Sequence, residues 1–229
     1  MAKDGKRMRA LREQVTEESL EVAVAIAKVK GGATAKFDES IDVAIRLGVD
    51  PRKSDQAVRG VVAMPAGTGK DVKVAVLCEG DKQAAAKEAG ADIVGFEDLL
   101  EKIGKGELGF DVLIAEPTAM PQLGKHGKVL GPKGLMPNPK QGTVTADVAK
   151  AVKLAKAGQV AYRAEKTGII HAAIGRASFK EEDLQANFHA LVGSLKQAKP
   201  AAAKGQYLVS ATLSSTMGPA VAVDVVPLR

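Results

Sequence analysis

Apolar residues recur with two different periods along this chain, and each period predicts its own kind of element. Between Ile41 and Val49 every second residue is apolar, which predicts a strand with one buried face. Between residues 180 and 199 the apolar positions follow the helical period instead, and Ser178 and Glu181 have the spacing of a capping box at the start of that helix. Its predicted buried stripe consists of Leu184, Phe188, Leu191 and Leu195.

The outer parts of the chain add a few more elements of the same kinds. Residues 16–30 predict a helix with Thr16 as its cap, stopped by Gly31 and Gly32. Residues 58–64 predict a second strand on this side of the chain. On the other side, the predicted strands are 159–164, 169–174, 206–214 and 220–226.

The middle of the chain has a different pattern, in which short apolar runs alternate with helical segments. The runs at 72–78, 92–94 and 112–115 predict strands, and the segments 81–89, 97–103, the region of Pro121 and 146–157 predict helices. Strands that are apolar on both faces and alternate with helices are typical of a parallel sheet covered by helices. The overall fold class is therefore predicted to be α/β.

These two patterns predict two domains. Residues 1–66 and 159–229 each hold too few elements to fold alone, so we expect them to form one discontinuous α+β domain. Residues 67–158 then form an inserted α/β domain. Two connections that contain glycine join the domains and predict a hinge with relative motion, for which the candidate residues are Pro65, Gly67, Gly69 and Gly158.

Composition narrows the class of partner. The chain has 229 residues, of which 45% are hydrophobic, with a net charge of +6 and a pI near 9.3, which favours an acidic partner such as nucleic acid. Cys78 is the only cysteine, which excludes an internal disulfide and is typical of a reducing, cytoplasmic setting. No apolar run approaches the roughly 18–20 residues that a bilayer requires, so no membrane association is expected.

Residues 131–142 form the most unusual local segment, with three prolines and three glycines. Neither a helix nor a strand is expected to continue through it. The region between Glu116 and Asp147 has no acidic residue, but it contains four lysines: Lys125, Lys128, Lys133 and Lys140. A stiff basic loop suits a polyanion, and the alternative interpretation is a solvated connecting loop.

Catalytic and cofactor motifs are not found. Gly67-Thr68-Gly69-Lys70 is similar to a phosphate loop, but its glycine spacing is wrong and it precedes a strand. The three histidines, His126, His171 and His189, have no metal-site spacing. We therefore expect no enzyme activity, no cofactor and no metal, and a Rossmann-type enzyme remains the alternative that a nucleotide-dependent thermal shift would reveal.

Neutral hydroxyls offer a candidate binding surface. Ser210, Thr212 and Ser214 alternate along a predicted strand and share one face. Such groups can exchange hydrogen bonds with ribose hydroxyls and phosphates of RNA. The alternative is an ordinary solvated strand face.

Five segments, in order along the whole chain, resemble the L1 family of bacterial ribosomal proteins. They are Thr34-Ala35-Lys36-Phe37-Asp38-Glu39, Asp50-Pro51-Arg52-Lys53-Ser54-Asp55-Gln56, residues 130–143, Lys166-Thr167-Gly168 with His171, and Ser215-Thr216-Met217-Gly218-Pro219. The resemblance implies a split β-α-β terminal domain with an inserted Rossmann-like domain that binds no nucleotide. It implies a protein of the cytoplasmic ribosome that is monomeric when free and binds the 23S rRNA stalk helices. It also implies movement with exit-site tRNA as that tRNA leaves, and repression of its own operon mRNA. A free repressor that acts mainly on mRNA is the alternative within this class.

The resemblance also implies which residues meet RNA, with the backbone amides near Gly168 and Gly218 among the donors. Lys166, Thr167 and Gly168 are expected to form a part of the surface that neighbours Lys36 and Phe37. The expected RNA-binding residues are Lys36, Phe37, Lys166, Thr167, Gly168, His171, Ser214, Ser215, Thr216, Met217 and Gly218. Secondary basic contacts are expected from Lys6, Arg7, Arg9, Arg52, Lys53, Lys133 and Lys140.

Overall fold

The protein is described by a computed structural model that covers residues 5–15, 18–78, 80, 82–106, 108–139 and 142–228. The chain forms two compact units, one from residues 1–69 and 160–229 and the other from residues 70–159. We call them the terminal unit and the inserted unit. Among the described residues, no helix is both long enough and apolar enough to cross a membrane.

Helices and strands occur in both units. The helices are α1 (Lys6–Gln14), α2 (Val22–Gly32), α3 (Lys82–Glu88), α4 (Glu97–Lys105), α5 (Met120–Gly124), α6 (Gly127–Leu130), α7 (Val148–Lys156) and α8 (Glu181–Gln197). The strands are β1 (Ser40–Leu47), β2 (Arg59–Ala63), β3 (Val74–Leu77), β4 (Ile93–Gly95), β5 (Val112–Ala115), β6 (Gln159–Arg163), β7 (Ile169–Arg176), β8 (Leu208–Ser215) and β9 (Val221–Val223). Short 3₁₀ turns lie at Ser54–Gln56 and Pro117–Ala119. The mixed α/β class predicted from the sequence is confirmed.

The terminal unit is built on an antiparallel sheet of four strands in the order β7-β1-β8-β9. The alternation predicted for β1 is confirmed, because Ile41, Val43 and Ile45 are buried while Asp42 and Arg46 are exposed. Helices α2 and α8 pack against the buried face. The predicted stripe of α8 is completely buried, so this helix and the sheet form one core. Strands β2 and β6 make a separate two-stranded sheet in the same core.

The predicted start and end of the first helix are wrong. Helix α2 begins at Val22 because the backbone of Leu20 pairs with β9, where its N–H donates to Ala222 O at 3.0 Å and its carbonyl accepts from Asp224 N at 2.8 Å. A residue that pairs with a strand in this way cannot also be helical. Thr16, the predicted cap, lies outside the described residues, and α2 continues through both glycines of its expected stop. The basic N-terminal segment forms α1, which the sequence pattern did not predict.

The predicted capping box of α8 is also wrong. The helix begins after Lys180, and its first turn has no side-chain cap. Ser178 binds a different partner, since its N–H and Oγ donate to the two carboxylate oxygens of Asp38 at 3.1 and 2.8 Å. These bonds attach the loop before α8 to the loop before β1.

The inserted unit is a parallel sheet of three strands in the order β4-β3-β5, with helices on both faces. All four residues of β3 are buried, which explains its continuous apolar run. One face packs with α4 and the other with α3 and α7. In the Pro- and Gly-rich loop, Leu135 and Met136 pack against the first of these cores, and Asn138 N–H donates to Thr143 Oγ1 at 2.8 Å. The loop is therefore packed against the inserted unit and ordered by its own hydrogen bond.

Candidate nucleic-acid interface

Two loops that are far apart in sequence meet at the first residue of β1. One loop, residues 33–39, connects α2 to β1, and the other, residues 216–220, connects β8 to β9. The N–H of Thr216 donates to Ser40 O at 3.0 Å, and the N–H of Ser40 donates to Thr216 Oγ1 at 2.9 Å. The neighbourhoods of Lys36 and Thr216, predicted to share a surface, are thus brought together by the sheet.

The outer side of these loops presents apolar groups next to a cation. Phe37 is 54% exposed and Met217 is 49% exposed. Lys36 and Thr216 are exposed as well, and Gly218 is half-buried. Large apolar side chains are usually buried, so their exposure beside a lysine indicates a contact surface.

The inner side of the same loops contains a buried carboxylate that was not among the predicted site residues. Glu39 is 1% exposed, and its Oε1 accepts from Ala35 N at 3.0 Å while its Oε2 accepts from Met217 N at 2.9 Å. Burial alone raises the pKa of Glu39, but these two N–H bonds, the Ser215 hydroxyl and the charge of Arg7 outweigh it and lower the pKa. The carboxylate is therefore ionised at neutral pH. An acid that ends a loop directly before an alternating strand was the only signal in the sequence.

Arg7 of α1 contacts both loops from outside. Its guanidinium donates to Met217 O at 2.6 Å and to Thr34 Oγ1 at 3.2 Å. The sequence suggested a nonspecific basic contact for this residue, whereas the structure gives it specific protein partners.

The face of the four-stranded sheet opposite α2 and α8 extends away from these loops. Across it, His171 of β7 lies opposite Ala44 of β1, which lies opposite Thr212 of β8, and Asp42 and Ser214 are paired in the same way. All of these side chains are exposed or half-buried. We call this surface the open face. It carries the hydroxyls of β8, as the alternation predicted, together with Ala44, His171 and Asp42.

The Lys166 turn lies at the other end of the open face. It connects β6 to β7, and Gly168 O accepts from Leu47 N at 2.9 Å, at the last residue of β1. Because β1 has eight residues at roughly 3.3 Å each, the two ends lie about 23 Å apart. The expectation that Lys166, Thr167 and Gly168 neighbour Lys36 is therefore corrected, since the length of β1 separates them. His171 lies between the two groups, with its Nε2 4.0 Å from Glu165 Oε1.

A concave basic surface surrounds this second group. It has a volume of about 1040 Å³ and is lined by Pro51, Arg52, Arg163, Ala164, Glu165, Lys166 and Thr167. Arg52, Arg163, Lys166 and Thr167 are all exposed. Arg163 was not among the predicted residues, because only the tertiary structure brings it to the same concave surface as Arg52.

Three predicted contacts are corrected by burial or by existing hydrogen bonds. Ser215 is only 4% exposed, because the period-two alternation of β8 directs it to the same side as Leu213. Gly168 is buried with a φ of +78°, and its N–H already donates to Glu165 O at 2.9 Å. The N–H of Gly218 donates to Ser215 O at 3.2 Å. These groups shape the loops, and the two amides have internal acceptors.

The remaining predicted residues are dispersed. Lys6 and Arg9 are exposed on α1, Lys53 is exposed beside Arg52, and Lys133 is exposed in the inserted unit. Lys140 lies outside the described residues. Of the candidate hinge residues, Pro65 is exposed, and Gly67, Gly69 and Gly158 have φ values of +73°, +68° and +90°. Relative motion of the two units stays a prediction.

The site is suited to binding an anionic polymer. Cations at both ends, hydroxyls along the open face and two exposed apolar side chains match the phosphates, riboses and bases of a folded RNA. Within the part of the chain that the structure describes, no group of three His, Cys, Asp or Glu side chains could hold a metal ion.

The chain is similar to ribosomal proteins of one family. The model of the Ribosomal protein L1p/L10e family matches residues 26–219. The chain is 62% identical to the large ribosomal subunit protein uL1 of Laribacter hongkongensis, over all of this chain and 98% of the relative. It is 61% identical to the protein of the same name from Neisseria meningitidis and 60% identical to that from Chromobacterium violaceum, in each case over 98% of this chain and 97% of the relative. The resemblance inferred from the five motifs is confirmed.

Proposed function

The chain belongs to the Ribosomal protein L1p/L10e family and is a ribosomal protein of the large subunit, and we propose that its terminal unit binds the stalk helices of 23S rRNA. The prediction that it is not an enzyme agrees with the names of its relatives, which are those of a ribosomal protein. The observation that supports the proposal best is the union of the 33–39 and 216–220 loops at one end of the open face.

The composition of this surface favours a folded RNA over a splayed single strand. Binding of unpaired bases usually employs several aromatic faces, and the chain has five phenylalanines, two tyrosines and no tryptophan. Phe37 is the exposed aromatic side chain of the two loops, whereas hydroxyls line the open face. Hydroxyls and cations recognise the shape, ribose and phosphate of a structured RNA.

The test is the affinity of the whole chain for a fragment of stalk rRNA, measured by filter binding. We expect Met217→Asp to weaken binding by at least about tenfold, because it places an anion where an apolar group meets the RNA backbone. Val24→Asp is the matched control, since Val24 is 45% exposed on α2, which packs on the opposite face of the sheet. Wild-type affinity of a folded Met217→Asp variant would refute the proposal.

Thr216→Ala is a less direct test of the same surface. The hydroxyl accepts from Ser40 N–H at 2.9 Å, so its removal also loosens the loop. A loss of affinity in this variant therefore combines contact and loop geometry.

Salt dependence provides an independent measurement. If about five phosphates are neutralised, the logarithm of the association constant falls against log salt with a slope of roughly 3.5–4.5. Lys36→Gln is expected to reduce that slope by about 0.7–0.9, because it removes one cation.

We assign exit-site tRNA, as a second RNA partner, to the concave surface around Arg52, Arg163 and Lys166. Its three cations surround the end of β1 that is farther from the Lys36 loop, and the two ends of β1 are about 23 Å apart, so these cations suit a separate phosphate backbone. Ribosomes that carry Arg52→Gln with Arg163→Gln are expected to release deacylated tRNA at a changed rate, while the free protein binds stalk rRNA as before. Unchanged release would exclude this surface.

Repression of the chain's own operon mRNA is proposed to use the rRNA surface. The reason is that an mRNA that folds like the stalk site would contact the same two loops and the same open face. In direct competition, leader mRNA and stalk rRNA should exclude each other, and Met217→Asp should weaken both. Simultaneous binding would contradict a shared surface.

A further inference from the structure

We propose that Glu39 and Arg7 are positioning residues that hold the 33–39 and 216–220 loops as one rigid unit for RNA. This inference rests on the proposed function of those loops. It assigns to both residues an indirect role, in which RNA affinity depends on hydrogen bonds within the protein.

Glu39 connects the loops through their N–H groups. Each carboxylate oxygen accepts from a different loop, Oε1 from Ala35 N at 3.0 Å and Oε2 from Met217 N at 2.9 Å. At 1% exposure, the side chain is too buried to meet RNA itself. A buried carboxylate is costly unless hydrogen bonds and a nearby cation compensate it, and here both are present.

Arg7 connects the same loops through their oxygens. It donates to Met217 O at 2.6 Å and to Thr34 Oγ1 at 3.2 Å, so Met217 is held at its N–H by Glu39 and at its carbonyl by Arg7. The side chain of Met217 is left exposed by this double attachment. Restricting both backbone groups of Met217 lowers the entropy that the loop loses when RNA binds.

The consequence concerns preorganisation. The two loops come from segments about 180 residues apart and approach each other only in the folded sheet. Phe37 and Met217 are long side chains on short loops, so a small loop displacement separates them from a rigid RNA surface. When the two loops are fixed relative to each other, Phe37 and Met217 keep one geometry, so less entropy is lost on binding and affinity increases without any added contact.

Glu39→Gln is the decisive variant. The amide can replace one acceptor, but its NH₂ group then faces a backbone N–H that loses its partner. We expect stalk RNA to bind about tenfold more weakly, with an unchanged salt slope because no phosphate contact is lost. The amide proton of Met217 should exchange faster with solvent. Glu182→Gln, an exposed position on α8, makes the same charge change and should behave as wild type.

Arg7→Lys is the second variant, and it keeps the test valid if Glu39→Gln does not fold. Lysine retains the charge, and therefore the salt slope, but it lacks the planar fork that reaches two acceptors. We expect a loss of affinity of about three- to tenfold with the fold intact.

Two outcomes separate this inference from the proposed function. If folded Glu39→Gln and Arg7→Lys bind RNA as the wild type does while Met217→Asp and Lys36→Gln bind weakly, the positioning role is refuted and the interface stands. If none of the four variants affects binding, the proposed interface itself is wrong. A salt slope reduced by about 0.7–0.9 in Arg7→Gln, which removes the charge, would mean that Arg7 contacts phosphate directly, which also overturns its positioning role.

Discussion

Substitution of Asn187 is the strongest test of the hydrogen bonds that stabilise the terminal unit. This residue of α8 is completely buried. Its Oδ1 accepts from Ala66 N at 3.0 Å, and its Nδ2 donates to Gly67 O at 2.9 Å and to Ile174 O at 2.7 Å. One side chain thereby joins a helix, a strand and the segment that leaves β2. Asn187→Ala removes all three bonds at once.

The expected loss is about 3 kcal/mol in the free energy of unfolding, at about 1 kcal/mol for each hydrogen bond. The backbone groups of Ala66 and Gly67 are half-buried and can regain water, whereas the Ile174 carbonyl stays inside the core. The better helix propensity of alanine returns roughly 0.5 kcal/mol, and the small cavity costs a similar amount. For a unit of about 140 residues, 3 kcal/mol corresponds to a decrease of about 10 °C in Tm.

Tyrosine fluorescence measures this unit separately. The chain has no tryptophan, and its two tyrosines, Tyr162 and Tyr207, both lie in the terminal unit. With an m value of about 2 kcal/mol/M, the urea midpoint should fall by about 1.5 M. Gln185→Ala, on the same helix and half-buried, is the control. A decrease below about 1 kcal/mol would refute the reasoning that these three bonds stabilise the unit.

Four further predictions concern single groups of the same unit. Tyr207→Phe should leave the free energy of unfolding unchanged or raise it by up to about 1 kcal/mol, because the buried hydroxyl of Tyr207 has no hydrogen-bond partner. Tyr162→Phe should lower it by about 1 kcal/mol, because the variant loses the 2.9 Å hydrogen bond to Ser194 Oγ of α8. Urea unfolding of the two variants measures the difference. In the wild type, burial raises the pKa of Tyr207 to about 12, because the folded state disfavours the charged tyrosinate. The free energy of unfolding is therefore unaffected by this group below pH 10 and falls as the pH rises towards 12, and ultraviolet titration of tyrosinate follows the ionisation. The pKa of Glu39 lies below its ordinary value of 4.5, so its stabilisation is present above pH 4.5 and is lost as the pH falls through the folded-state value; urea midpoints of wild type and Glu39→Gln should converge in acid, and a constant difference would contradict this. Gly168→Ala should destabilise by about 2 kcal/mol, since its φ is +78° and a Cβ would lie 3.0 Å from Val49 O; an unchanged Tm would exclude strain there.

Much of the fold could be predicted because local patterns reflect burial directly. The apolar alternation of β1 and the apolar stripe of α8 each mark the face of the element that is buried away from water, and both predictions are confirmed. The continuous apolar runs of the inserted unit indicated a sheet covered on both faces for the same reason. The family motifs identified the chain, since five short segments in order are specific even without any structure.

Element ends were less predictable, because tertiary bonds compete with local signals. Leu20 lies in a segment with helical propensity, yet its pairing with β9 delays α2 until Val22. Ser178 has the spacing of a cap, yet Asp38 takes its hydrogen bonds. In each case, a distant partner provides a better hydrogen bond than the adjacent turn does.

The sequence by itself determined the fold class, the buried faces, the family and the residue types of the proposed interface, because hydrophobic periodicity and local motifs are properties of neighbouring positions. Only the tertiary structure decided which of those residues meet. It brought the loop of Lys36 against the loop of Met217 and placed Lys166 near the far end of β1. It also buried Ser215 and revealed Glu39 as the acceptor shared by the two loops. Distances between segments about 180 residues apart are set by strand pairing and register, which no local pattern encodes.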